Sequence, residues 1–136
     1  MRLFFDANTL FTAAHNPKGK AAFVIELGGA GCWALCTSAY AIEEARRNLE
    51  AKFPDALPVL VESLTHFEIG NESRSHACPT GLPVKDCPIH LAALGCRATH
   101  LLTGDVKDFG PLMNQSNKTD GILIQTVSHF LERLGS

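Results

Sequence analysis

No apolar run in this sequence approaches the roughly 18 residues that a membrane-spanning helix needs. The first residues have neither the basic start nor the long apolar stretch of a secretory signal, and Asp6 interrupts them early. These absences lead us to expect a soluble, cytoplasmic chain with no membrane partner. Cys32, Cys36, Cys78, Cys87 and Cys96 contain no C-x-x-C pair, and their number is odd. Reduced, mostly buried thiols are the expectation. The six histidines are scattered without an H-x-x-x-H, so a zinc centre is not expected. A strongly basic balance is also missing. The net charge is -2, which excludes nucleic-acid binding by bulk charge alone. There is no internal repeat and no low-complexity tract.

What is present points to an ordinary globular chain. Its 136 residues fit one domain, 1–136, and 46% of them are hydrophobic. A chain of this length buries roughly two-thirds of its unfolded surface. The pattern begins with Leu3-Phe4-Phe5, a run long enough for a buried strand and short for a helix. It stops at Asp6, and a helix follows from about Thr9. In an open α/β sheet, ligands sit beyond the carboxyl ends of the strands. Asp6 therefore either faces such a crevice or simply caps the helix after it. The two readings weigh equally on this stretch alone.

Asn16-Pro17 marks a turn. Ala21 to Leu27 is helical in pattern, with Phe23, Leu27 and Ala30 on one stripe. Gly28, Gly29 and Gly31 read as the end of that helix, since a phosphate-cradling loop would follow a strand. Trp33 to Thr37 reads as a second strand, and Ser38 as the N-cap of a helix to about Lys52. Its core stripe is Ile42, Ala45 and Leu49. Glu43 and Glu44 lie off that stripe, where acids also suit the helix dipole. Pro54 ends the segment. Asp55 to Phe67 gives another helix, with Leu57, Leu60, Val61 and Leu64 at helical spacing. A short strand fits near Phe67–Ile69, and the polar stretch from Gly70 to Pro83 reads as a loop.

Asp86 stands at the edge of a helix whose apolar positions are Ile89, Ala92, Ala93 and Cys96, with Pro88 in its first turn. His100 to Thr103 is a strand that runs into Gly104-Asp105, with Asp108 three residues on. Asp120-Gly121 is a turn before a strand at Ile122–Ile124. Thr126 caps a last helix over 127–134. The alternation predicts an α/β fold: three α/β/α layers around a mostly parallel sheet.

A parallel sheet places its strand C-termini on one edge, so Asp6, Glu44, Asp86 and Asp105 can converge there. Two like charges ~4 Å apart repel by about 4 kcal/mol at an effective dielectric of 20. Against a stability of ~5–15 kcal/mol, converging acids must be protonated, spread apart or bridged by a cation. An all-oxygen site suits Mg²⁺ or Mn²⁺ and metal-assisted phosphoryl transfer.

The chain resembles the PIN domains (PilT N-terminus nuclease domains). The resemblance rests on Leu-Phe-Phe-Asp-Ala-Asn-Thr-Leu, on Thr-Ser-Ala-Tyr-Ala-Ile-Glu-Glu-Ala-Arg-Arg-Asn-Leu, on Val-Lys-Asp-Cys-Pro-Ile-His-Leu-Ala-Ala-Leu and on His-Leu-Leu-Thr-Gly-Asp-Val-Lys-Asp-Phe. It covers residues 2 to about 109. It implies a Mg²⁺- or Mn²⁺-dependent endoribonuclease. By that resemblance Asp6, Glu44, Asp86 and Asp105 are the catalytic and metal-holding acids, with Glu43 as rival to Glu44. Asp108 is a further acid for a second metal, and Asn8 and Thr103 are supporting hydrogen-bonders. The size class is that of VapC-type toxins, which implies an RNA substrate, an antitoxin partner and a homodimer. Arg46, Arg47, Lys52, Lys85 and Lys107 are candidate phosphate partners, with solvated surface charge as the equal alternative. The competing function is a non-catalytic, acid-lined module of the same fold that binds a protein or RNA. A phospho-accepting receiver domain fits poorly, because Asp6 stands alone after the first strand.

Overall fold

The computed structural model describes residues 1–135. Five strands form one sheet: β1 (Arg2–Phe5), β2 (Ala34–Ser38), β3 (Phe67–Gly70), β4 (His100–Leu102) and β5 (Leu123–Gln125). Their order is β3-β2-β1-β4-β5 and all four pairings are parallel. The helices are α1 (Ala7–His15), α2 (Lys20–Gly29), α3 (Ala39–Lys52), α4 (Leu57–Leu64), α5 (Cys87–Gly95), α6 (Val106–Phe109) and α7 (Val127–Leu134). The strand order reverses direction after β3. Right-handed crossovers therefore carry α1–α4 and α5 to opposite faces, giving the three-layer arrangement. No helix among the described residues is long and apolar enough to cross a membrane.

Burial follows from that topology. Leu3, Phe4 and Phe5 in the central strand are fully buried, as an unbroken apolar run in a strand covered on both faces must be. Edge strand β3 leaves Glu68 and Ile69 exposed. Helix starts are set by side chains that accept from backbone N–H groups: Ser38 from Ala41 for α3, and Thr126 from His129 for α7. Ile89, Ala92, Ala93 and Cys96 all face the core from α5 or its end, as their spacing predicts.

Four expectations are corrected. The buried residues of α2 are Ala21, Val24 and Ile25, whereas Phe23 is exposed and Leu27 only half-buried. That helix packs against α1 and α7, and small residues suit the close contact. On α4 only Leu60 is buried, and Val61 is exposed. The last strand starts one residue later than read, at Leu123, because Ile122 closes the turn through its N–H to the Thr119 carbonyl. The thiols are not all reduced. Cys78 and Cys87 form a disulfide, with Cα atoms 5.4 Å apart, while Cys36 and Cys96 are buried and free and Cys32 is exposed. Local spacing carries no signal for this bond, because the loop after β3 folds back to bring Cys78 onto the first turn of α5.

Candidate functional site

The strand order reverses between β1 and β4. The crevice outside the C-terminal ends of those two strands is the expected place for a ligand. Asp6 follows β1 there, and its N–H donates to the Leu102 carbonyl at the end of β4. Asp6 occupies the N-cap position of α1, but its side chain makes no capping hydrogen bond. The helix-cap reading of this residue is thus set aside. Its carboxylate instead accepts from the Thr103 hydroxyl at 2.6 Å and from Asn8 Nδ2 at 3.4 Å.

Thr103 joins the two strand ends. While donating to Asp6, its Oγ1 accepts from the Asp105 N–H at 3.0 Å. Asn8 makes a parallel brace, its Oδ1 accepting from the Gly104 N–H at 2.7 Å. A Cβ on residue 104 would stand 3.2 Å from that same Oδ1, so glycine permits the close approach. Thr9 completes the brace by donating to the Leu102 carbonyl at 2.9 Å.

Asp105 then turns the chain into α6, accepting from the Asp108 N–H at 3.0 Å. Asp86 arrives from the other side, on the short 3₁₀ turn Val84–Asp86 that opens α5. One oxygen from each of Asp86, Asp105 and Asp108 lies within 4.8 Å of the others. Among the described residues the buried Asp86 Oδ2 has no hydrogen-bond partner. Asp6 and Glu44 extend this group: Asp6 lies in the electrostatic field of Asp86 and Glu44, and Asp86 in that of Asp105, Asp108 and Glu44.

The two glutamates separate here. Glu43 turns away to a bidentate pair with Arg46, at 2.6 and 3.1 Å, and has Arg47 at 3.8 Å. Glu44 is the one of the two whose charge acts on Asp6 and Asp86.

The charges feel this crowding. Burial pushes the Asp6 carboxyl up to about 6, with the Asp86 and Glu44 charges adding to the rise, while the Thr103 hydroxyl and Ala7 N–H oppose it. Burial also raises Asp86, against the pull of Lys85. Asp108 goes the other way, held low by the Lys85 ammonium 2.8 Å from its Oδ2.

Of the candidate phosphate partners, Arg46 is committed to Glu43 and Glu50, Arg47 lies beside Glu43, and Lys52 stands over the Phe11 ring at 5.8 Å. Lys85 belongs to the acid group itself. Tyr40 was not singled out in the sequence; its hydroxyl donates to the Lys85 carbonyl at 3.1 Å. A contact to a backbone oxygen 45 positions away leaves no sequence signal. A cavity of about 480 Å³ opens beside the site, sharing Asn8, Thr103 and Gly104 and extending to Lys20 and Ser128.

Strand order and switch point define a layered α/β fold around a five-stranded parallel sheet. Solved structures agree. The chain is similar to one in the crystal structure of VapBC2 from Rickettsia felis bound to a DNA fragment from their promoter. The TM-score is 0.63 at 14% identity, over 93% of this chain and 98% of that one. It is also similar to one in VapBC-1 from nontypeable Haemophilus influenzae, with a TM-score of 0.56 at 12% identity, over 94% and 99%. At these identities the likeness is one of fold alone. No family model and no curated protein sequence matches the chain.

Proposed function

We propose that this chain is a divalent-metal-dependent endoribonuclease, the toxin of a VapBC-type pair. The observation that carries the reading is the group of acids at the β1/β4 switch point, with the buried Asp86 Oδ2 lacking a hydrogen-bond partner among the described residues. Such an oxygen costs free energy unless a proton or cation meets it. The donor set is all carboxylate, which fits Mg²⁺ or Mn²⁺ and argues against zinc. Asp6, Glu44, Asp86 and Asp105 would hold the ion, with Asp108 adjoining. When bound, the ion supplies Lewis acidity and lowers the pKa of water for in-line attack on a phosphodiester.

The chain's own residues prepare that chemistry. Thr103 fixes the Asp6 carboxylate and the Asp105 backbone with one hydroxyl. Asn8 and Gly104 keep the two strand ends in register. Burial raises the Asp6 carboxyl to about 6, so a cation beside it would favour its charged form. An antitoxin partner and a homodimer belong to the same reading. Support for the antitoxin is the VapBC composition of the similar structures.

The test is cleavage of a mixed pool of single-stranded and structured RNA with Mg²⁺, Mn²⁺ or EDTA. Asp6→Asn and Asp105→Asn, purified identically, should lose the metal-dependent cutting while keeping the fold. Wild-type activity in both variants would overturn the assignment. No cutting by the wild-type chain with any metal would favour the acid-lined binding module instead.

A further inference from the structure

The Lys85 ammonium stands among the site's own acids, which is unusual for a residue two-thirds exposed. It pairs with Asp108 Oδ2 at 2.8 Å, and Asp108 is half-buried where Lys85 is exposed. Asp86 and Asp105 act on the same ammonium electrostatically. Exposed lysine–carboxylate pairs are ordinarily loose. This one faces three acids whose oxygens lie within 4.8 Å of one another.

Its backbone is also fixed. The Tyr40 hydroxyl donates to the Lys85 carbonyl at 3.1 Å. The 3₁₀ turn is closed by the Asp86 N–H on the Pro83 carbonyl at 2.9 Å. Two residues after Lys85, Cys87 is bonded to Cys78. These bonds fix the backbone from which the ammonium reaches Asp108.

We propose that Lys85 is a resident cation standing where a second divalent ion would bind, so that the site takes a single Mg²⁺ or Mn²⁺. This rests on the metal-dependent reading above. The acids divide into two parts. Asp108 already has a positive partner at its Oδ2. Among the described residues no ion pair joins a cationic side chain to Asp6, Glu44, Asp86 or Asp105, and Asp86 Oδ2 has no hydrogen-bond partner there. A second ion at Asp108 would have to displace the ammonium or sit beside it. Like charges at that separation repel, and the repulsion doubles when one of them is divalent.

Calorimetric titration of the full chain with Mn²⁺ tests this, with bound Mn²⁺ counted independently by electron paramagnetic resonance. Wild type should bind one ion per chain, Lys85→Arg one, and Lys85→Met two. The double variant Lys85→Met/Asp108→Asn should return to one, because the added ion needs the freed carboxylate. Far-UV circular dichroism should be the same for all four, since Lys85 is on the surface. Two ions in the wild type, or one in Lys85→Met, would overturn the inference and leave the metal-dependent reading standing. No binding by any variant would overturn both.

Discussion

Asp6→Asn should make this protein more stable in the absence of metal, and by an amount that depends on pH. Asp6 is only 6% exposed, and its carboxyl sits at about 6 rather than the usual 3.8. In the folded state it therefore binds a proton more tightly than when unfolded. The native state holds extra proton between those two values, so stability falls as pH rises through that window. At about 1.4 kcal/mol per pH unit, the wild type carries a penalty approaching ~3 kcal/mol once Asp6 is fully ionised. Asparagine carries none, and its carbonyl oxygen still accepts from Thr103. Urea denaturation in EDTA should then show the gap between variant and wild type widening by about 2 kcal/mol from near pH 4.5 to near pH 8. Saturating Mg²⁺ or Mn²⁺ should close the gap, because ligand binding stabilises only the chain that binds it. A gap that does not change with pH, or a variant less stable than wild type near pH 8 without metal, would refute the reasoning.

Thr103→Val should destabilise the fold by about 1.5–3 kcal/mol in the same assay, because it strips a donor from a carboxylate and an acceptor from the Asp105 N–H. Glu44→Gln should weaken Mn²⁺ binding by calorimetry, whereas Glu43→Gln should leave it unchanged, since Glu43 serves only Arg46 and Arg47. Cys78→Ser, or reduction with a dithiol, should lower stability by roughly 2–3 kcal/mol, the chain-entropy value for a loop of about ten residues. Equal denaturation midpoints with and without reductant would show that the bond does not constrain the unfolded chain.

The strand–helix alternation was legible because burial on both faces leaves an apolar run, as in Leu3-Phe4-Phe5, and because capping residues announce helix starts, as Ser38 and Thr126 do. The acids at strand ends were legible for a related reason: parallel topology alone brings Asp6 and Asp105 to one edge. What failed to show was decided by packing between elements. Periodicity favoured bulky Phe23 for the core, but the face of α2 that meets its neighbours is the one with Ala21 and Val24. Nothing local tells Cys78 that it will meet Cys87, or Lys85 that it will turn to Asp108. Both depend on how a loop without helix or strand from 71 to 83 returns to the sheet. The choice between Glu43 and Glu44 fell the same way, since adjacent helical residues point about 100° apart and only the fold says which direction holds the acids.

The pairing of β1 with β4 also governs when the site can exist during synthesis. Leu3 lies beside His100, and Phe5 beside Leu102. Asp6 precedes its hydroxyl partner, Thr103, by 97 residues, and Asp105 comes later still. A nascent chain that stops short of β4 can already form the β1–β2–β3 half of the sheet, but it has no crevice for the carboxylates to share. Acid crowding is thus postponed until β4 is made, and a chain that stops before it carries an incomplete set of acids.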